Sequence, residues 1–380
     1  MKIGIITIQK SQLNYGACLQ CYALYKRIKT DYGHCEVIDL LRPMLPGYIA
    51  STNFFGEMSR RKRWQIFKNR FRYLIKRTRS QKLRDQRFAE FSAMIDYSPL
   101  YRSVNSLYKN PPLYDLYITG SDQVWSPYLP YINDPYFLTF TPKDKKKISY
   151  ASSFGIELIP AELQSKYAES LKSYNSLSTR EESGATIVKQ LTGLEAKVVV
   201  DPVFLLKRHE WQSIERPVEG IAPGSYVFLY MLHRDAKVLE KAAQVAKARN
   251  KQLLYTLSQI GGMPSFYGKE IEHAGPAEWL WLINHSDTFV TTSFHGSAFG
   301  LIFGKPLVIL LKDGVKTNTR IDNLTKMFDI MDHIHNLDSN KDFSNQTFCI
   351  DGEKIQQIID REVTKSLEYL SKAIYEKENK

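Results

Sequence analysis

The chain alternates short apolar runs, each stopping at polar residues, with amphipathic runs, and it does so twice. Strand-like runs come first at Lys2–Ile8, Cys35–Leu40, Tyr114–Ile118, Lys147–Ala151, Leu177–Thr179 and Lys197–Val200. Helix-like runs at Cys18–Lys29, Ala161–Tyr174 and Gly184–Leu191 separate some of them. Few folds accommodate this pattern, because parallel strands need crossovers and the crossovers are helices lying on the sheet faces. The segment Phe204–Gly224 breaks it with Arg216-Pro217 and Ala222-Pro223-Gly224, which read as a linker. The alternation then restarts. Tyr226–Leu232, Gln252–Leu257, Thr288–Thr292 and Pro306–Leu311 read as strands, and Ala236–Arg249, Pro276–Ser286 and Gly296–Phe303 as helices.

A chain of 380 residues is long enough for two cores. The reading is an N-terminal α/β domain over 1–205 with a basic helical insertion at 58–96, and a C-terminal α/β domain over 206–350. The last helical run, within 351–380, is long enough to pack back on the N-terminal domain. Two doubly wound Rossmann-like domains facing each other make a cleft lined by strand ends from both. The stretch Trp279–Leu311 resembles the second domain of the GT-B glycosyltransferases, with an apolar helix, a strand, a small polar loop, a Gly-containing helix, Gly-Lys-Pro and a strand.

Composition is that of a globular protein, 43% hydrophobic and 24% charged. No run of about 18 apolar residues suggests a membrane span. The apolar N-terminus is too short for a signal-peptide core and reads as a first strand. Of Cys18, Cys21, Cys35 and Cys349, the first two have C-x-x-C spacing within a helical pattern and read as buried thiols, which suits a reducing cytoplasm. His333 and His335 have no companion ligands, so no metal site is expected. The net charge of +12 is concentrated: residues 60–87 hold 13 Lys and Arg and one acid, Asp85. Trp64, Phe67, Phe71, Leu74 and Ile75 recur there mostly at helical steps, giving a basic amphipathic helix. It suits an anionic membrane surface, or covers the sheet as an ordinary solvated helix. No nucleic-acid-binding signature is present.

Polar clusters follow the strands at Asn14-Tyr15-Gly16, Gly120-Ser121-Asp122-Gln123, Ser152-Ser153-Phe154-Gly155, Arg180-Glu181, Asp201 and Ser293-Phe294-His295-Gly296. Ligands of open α/β sheets bind at such strand ends. His295 suits acid–base chemistry, or simply packs against the next helix. Arg180 and Arg320 suit clamping of carboxylate or phosphate, although Arg180 also has Glu181 and Glu182 as surface partners. Asp122 is a candidate base, or an Asx turn, and Asp201 before Pro202 suits a turn. Asn14 and Gly16 suit an anion or hydroxyl site at a helix start.

Asn14-Tyr15-Gly16-Ala17 with Leu19-Gln20, Gly120-Ser121-Asp122-Gln123-Val124-Trp125, Ser152-Ser153-Phe154-Gly155, Asp201-Pro202-Val203 and Ser293-Phe294-His295-Gly296 resemble the polysaccharide pyruvyl transferases. The resemblance extends to about residue 330. It implies transfer of the pyruvyl group of phosphoenolpyruvate onto two hydroxyls of a sugar, galactose for example, as a cyclic ketal. The setting is bacterial exopolysaccharide or capsule biosynthesis, with a polyprenyl-diphosphate-linked oligosaccharide as acceptor. Neither catalytic metal nor redox cofactor is required. By the resemblance His295 is the acid–base group or a ligand of the donor phosphate, and Asp122 is the second catalytic candidate. Arg180, Arg320, Ser293, Gly296 and Lys305 are the expected donor ligands, all but Arg180 from the C-terminal side. Asn14, Tyr15, Gly16, Gln123, Trp125 and Ser153 bind the acceptor on the N-terminal side. One departure stands out: some members carry Arg two residues before this histidine, where this chain has Ser293, leaving Arg320 or Lys305 to supply the cation. The expected location is cytoplasmic, peripheral at the inner face of the plasma membrane. Two other readings remain: a GT-B glycosyltransferase with a nucleotide-sugar donor, for which Glu278 is the candidate ribose ligand, and a non-catalytic glycan- or membrane-binding protein.

Overall fold

The protein is described from a computed structural model, which covers residues 1–9, 14–42, 47–49, 78–128, 134–257, 267–312, 319–339, 343–344 and 346–376. The first half runs β1 (Ile3–Ile6), α1 (Tyr15–Tyr32), β2 (Cys35–Val37), α2 (Arg79–Ser92), α3 (Val104–Lys109), β3 (Leu116–Thr119), β4 (Lys146–Ser149), α4 (Ala161–Lys172), β5 (Leu177–Thr179), α5 (Glu182–Thr192) and β6 (Ala196–Val198). Strands β2-β1-β3-β4 form a parallel sheet, and parallel bridges Ile148–Ser176 and Ser152–Thr179 carry it on to the β5-β6 pair.

The second half runs β7 (Tyr226–Met231), α7 (Ala236–Ala248), β8 (Gln252–Leu257), β9 (Lys269–Glu270), α8 (Pro276–Asn284), β10 (Thr288–Thr291), α9 (Phe294–Ile302), β11 (Leu307–Leu311), α10 (Thr319–Phe328) and β12 (Ile334–Asn336), before α11 (Gly352–Tyr375). The expected linker between the halves is packed structure. It holds a 3-10 turn at Pro202–Leu205 and α6 (Arg208–Gln212), with Trp211 buried and its indole N–H bonded to the Val203 carbonyl at 3.0 Å.

The second sheet is also parallel, in the order β9-β8-β7-β10-β11-β12. In sequence terms that is 3-2-1-4-5-6, the doubly wound order, with its switch point between β7 and β10. In the first sheet the order reverses between β1 and β3. Every residue of β7, β10 and β11 is buried, as expected for strands covered on both faces, which is why they read as unbroken apolar runs.

Helix α1 is buried along most of its length. It is the seam between the halves. Tyr15 stacks on Trp279 of α8 at 5.2 Å and meets Tyr230 of β7 edge-on at 5.5 Å, while its hydroxyl donates to the Ala274 carbonyl at 2.8 Å. Helix α2 is a second tie. Arg84 is 3% exposed and donates to the Leu257 carbonyl at 2.6 Å, and Arg87 donates to the His273 carbonyl at 3.0 Å. Arg87 also meets the fully buried Glu278 at 3.1 Å, and Arg216 meets the same carboxylate at 2.8 Å. Helix α11 ties the halves again. Its Ser366 hydroxyl accepts from the Val200 N–H at 3.1 Å, and its Tyr369 hydroxyl donates to the Ser149 carbonyl at 2.8 Å.

These ties correct one expectation. Arg84 and Arg87 belong to the basic stretch assigned to a membrane surface, yet both point into the protein because buried carbonyls and Glu278 offer better partners than solvent. Residues 60–77, with Trp64, Phe67, Phe71, Leu74 and Ile75, lie outside the described residues. Among the described residues, no helix is long and apolar enough to cross a membrane.

Candidate active site

The two switch points touch. Helix α1 starts after β1, and α9 starts after β10. A Cβ placed on Gly16 would lie 2.2 Å from His295 Nδ1 and 2.5 Å from its Cγ, so only glycine lets α1 lie flush on the imidazole. Both helices begin earlier than their apolar periodicity suggests. Asn14 caps α1 by accepting the Ala17 N–H at 3.2 Å, and Ser293 caps α9 by accepting the Gly296 N–H at 3.3 Å. Tyr15, Gly16 and His295 therefore sit in first helical turns rather than in loops.

Asp201 is the hub. One oxygen, Oδ2, accepts from Ser121 Oγ at 3.0 Å and from Arg180 Nη1 at 2.7 Å, and stands 3.5 Å from His295 Nε2. The other caps the 3-10 turn by accepting the Val203 N–H at 3.1 Å. Burial alone would raise this carboxyl's pKa. The adjacent His295 and Arg180 outweigh burial and hold it well below the usual carboxylate range. The turn expected at Asp201 is therefore present, and Oδ2 of the same side chain faces His295 Nε2, a buried nitrogen with no hydrogen-bond partner among the described residues.

Arg180 is buried. Desolvation weakens its charge, but Asp201, Glu181 and Asp122 more than restore it, and its pKa lies above the ordinary value. Its guanidinium lies 4.3 Å over the Phe294 ring. Its Nε is 3.6 Å from Glu181 Oε2. Arg320, from α10, shares a cavity with Arg180, Glu181, Asp201, Phe294 and Asn323. Burial and then the charge of Arg180 lower its pKa, yet a guanidinium stays protonated at neutral pH. Arg180 Nε and Nη2 and Arg320 Nε are buried donors without a hydrogen-bond partner. Two guanidiniums with unused donors in one pocket suit a ligand with more than one anionic group.

Other expected site residues fall elsewhere or serve the scaffold. Lys305 follows the far end of α9, about 13 Å along the helix from its start, where it donates to the Asn284 carbonyl at 3.0 Å. It cannot share a donor with Arg180. Trp125 is 0% exposed, stacks on Phe137 at 5.7 Å and donates to the Tyr136 carbonyl at 3.1 Å, so it has no face for a sugar. Tyr15 spends its hydroxyl on Ala274, and the Ser293 hydroxyl accepts the Gly296 N–H. Asp122 adopts φ +71, accepts the Gln123 N–H at 2.9 Å, and its carboxylate supports the charges of Arg180 and Arg320. Gln123 packs against Gly155, where a Cβ would lie 2.0 Å from its amide nitrogen. Ser153 donates to Glu181 Oε1.

Glu181 and Ser121 were missed as site residues. Glu181 was legible only as Arg180's neighbour, because its partner Ser153 lies in the loop after β4, far away in sequence. His333 Nδ1 donates to the Leu307 carbonyl at 2.9 Å, and no metal-holding cluster occurs among the described residues. Cys18, Cys21 and Cys35 are buried and in no disulfide, and burial pushes the Cys18 thiol up to about 12.

No curated protein matches the chain. Among solved structures, a trehalose-6-phosphate synthase, OtsA, is similar with a TM-score of 0.51 at 8% identity, covering 99% of this chain and 100% of that one. A UDP-N-acetylglucosamine 2-epimerase from Rickettsia bellii gives 0.49 at 9% identity, covering 99% and 97%. The UDP-GlcNAc 2-epimerase from Neisseria meningitidis gives 0.47 at 12% identity, covering 98% and 100%. At these identities the likeness concerns architecture alone, and it is that of the GT-B fold. The sequence model of the polysaccharide pyruvyl transferases matches residues 14–312, most of the chain and every strand-end cluster described above, and the protein belongs to that family of transferases.

Proposed function

We propose that the protein transfers the pyruvyl group of phosphoenolpyruvate to two hydroxyls of a sugar, forming a cyclic ketal and releasing phosphate. One observation carries the reading: Arg180 and Arg320 bring unpartnered guanidinium donors into one cavity, whose wall includes Asp201, the neighbour of His295 at 3.5 Å. Phosphoenolpyruvate has two anionic groups, a carboxylate and a phosphate ester, attached to the same carbon. Arg320 supplies the second cation that Ser293 does not. His295, faced by Asp201, delivers the proton that the enol carbon needs before a hydroxyl attacks its neighbour. Substrate protonation and charge neutralisation come from side chains in this scheme, so it calls for no metal or redox cofactor.

The acceptor is proposed to be a β-galactoside of a surface polysaccharide, presented on a polyprenyl carrier at the cytoplasmic face of the membrane, where the basic stretch 60–77 would meet anionic lipid. Sedimentation with vesicles tests that part: equal binding to neutral and anionic vesicles rejects the electrostatic contact. The reaction is tested by incubating the protein with phosphoenolpyruvate and a panel of galactosides, and following phosphate release and acceptor mass. Acceptor-dependent phosphate with a mass gain of one ketal supports the reading, and its absence across the panel overturns it. Glu278 argues against a nucleotide-sugar donor, because Arg87 and Arg216 occupy the carboxylate that a ribose would need.

A further inference from the structure

We propose that Glu181 is the second proton-transfer group of this site, the base that receives the proton of the first attacking hydroxyl. The inference rests on the pyruvyl-transfer reading and adds to it a residue of the first half.

Glu181 stands at the N-cap position of α5, where an acidic side chain ordinarily accepts a backbone N–H of the first turn. It makes no such bond. Its carboxylate turns into the wall of the cavity that holds Arg180, Arg320 and Phe294, and the residue is 2% exposed. Oε1 accepts from Ser153 Oγ, which itself accepts the Gly155 N–H at 3.1 Å, so the carboxylate is held from the acceptor side. Oε2 is buried without a hydrogen-bond donor, 3.6 Å from Arg180 Nε. The guanidinium thus lies between two acids, bound to Asp201 at 2.7 Å on one edge and facing Glu181 on the other. His295 lies beyond Asp201. A donor seated on Arg180 would meet Glu181 from the first half and, past Asp201, His295 from the second.

That placement closes the proton balance. Protonated His295 gives its proton to the methylene carbon, the hydroxyl oxygen bonds to the adjacent carbon as the double bond is lost, and Glu181 takes the hydroxyl proton. The carbon–oxygen bond to phosphate then breaks, with Glu181 returning its proton to the leaving group. The second hydroxyl closes the ring, and its proton goes to neutral His295. Both side chains finish as they began, and the products are ketal and hydrogen phosphate.

The test is Glu181→Gln, which keeps an acceptor for Ser153 and removes the base, beside Glu181→Asp, which keeps the charge. With saturating phosphoenolpyruvate and a galactoside acceptor, E181Q should lose about 100-fold or more in kcat and the acid limb of its pH profile. Phosphoenolpyruvate affinity by calorimetry should stay within about threefold, and E181D should retain the limb. Should Glu181 merely balance the charge of Arg180, E181Q would instead change donor affinity more than tenfold with kcat and pH profile intact, and the proposal falls. E181D without an acid limb also overturns it. A wild-type protein that releases no acceptor-dependent phosphate sinks the pyruvyl reading itself, and the Glu181 assignment with it.

Discussion

Replacing Gly16 with alanine should misplace His295 without unfolding the protein. The added Cβ would sit 2.2 Å from Nδ1, and ordinary contact begins at 3.4 Å. The ring or α1 must therefore give way by about 1 Å. Helix α1 resists, because Tyr15 is stacked on Trp279 and bonded to Ala274 one residue away. The imidazole moves instead, and its 3.5 Å relation to Asp201 changes with it. A misplacement of about 1 Å in a reacting group costs about 100-fold in rate. Stability should change little. Alanine is favoured over glycine in a helix by about 1 kcal/mol, and Gly16 has no positive φ, which offsets much of a clash costing about 1–3 kcal/mol. The assay is kcat/KM for acceptor-dependent phosphate release, beside thermal unfolding, for G16A, H295A and the double variant. The double variant should be no slower than H295A, since both changes disable one group. A G16A protein within about threefold of wild type and with the same Tm would refute the reasoning.

Asp201→Asn leaves Arg180 buried with half its counter-charge and should cost about 3–5 kcal/mol in stability. Asp201's folded pKa is depressed, so its contribution is complete above the unfolded value of about 4 and is lost as pH falls through the folded one. The gap between wild type and D201N in urea unfolding should narrow as pH falls below about 4, through the unfolded and then the folded value. Arg320→Lys should raise KM for phosphoenolpyruvate about tenfold or more, because a lysine cannot make the forked contact; an unchanged KM removes Arg320 from the donor site. Glu278→Gln should lower stability by about 3 kcal/mol, the low end for a broken buried pair because Arg216 is half exposed, while kcat of the folded protein stays unchanged. A large loss of kcat in E278Q would return Glu278 to the substrate.

The strands of both sheets were legible because parallel strands buried on two faces leave unbroken apolar runs, as at Tyr226–Met231 and Leu307–Leu311. Helix starts were read late at α1 and α9 for one reason: apolar periodicity begins after the first turn, whereas the caps Asn14 and Ser293 lie before it. Both caps accept from the N–H three residues on, a spacing that local sequence does carry. The two-residue strand β9 offered no period to detect. Tyr15 and Trp125 show the opposite limit. An aromatic with a polar tip at a strand end suits a sugar cleft or a core equally, and only the partners Ala274 and Tyr136 decide. Ser153 with Glu181, and Asp201 with Ser121, are pairings between residues far apart in sequence, which no local pattern contains.

Neither half could perform the proposed chemistry alone. His295, Phe294 and Arg320 belong to the second, while Asp201, Arg180, Glu181 and Gly16 belong to the first. Each half thus supplies charges that are poorly balanced without the other, and burying them is tolerable only because α1, α2 and α11 hold the halves together. The space between the two guanidiniums, as the described residues line it, is partly open and about 20 Å³, room for about one water. A three-carbon phosphate held by both at once asks one of them to yield. Arg180 is the poor candidate, anchored at 2.7 Å to Asp201, which is itself tied to Ser121 and the Pro202 turn. Arg320 forms no ion pair among the described residues and is destabilised by Arg180's charge. The two cations consequently differ in kind: Arg180 is pre-set, so its contribution falls in the rate, and Arg320 must be drawn in by the ligand, so its contribution falls in binding.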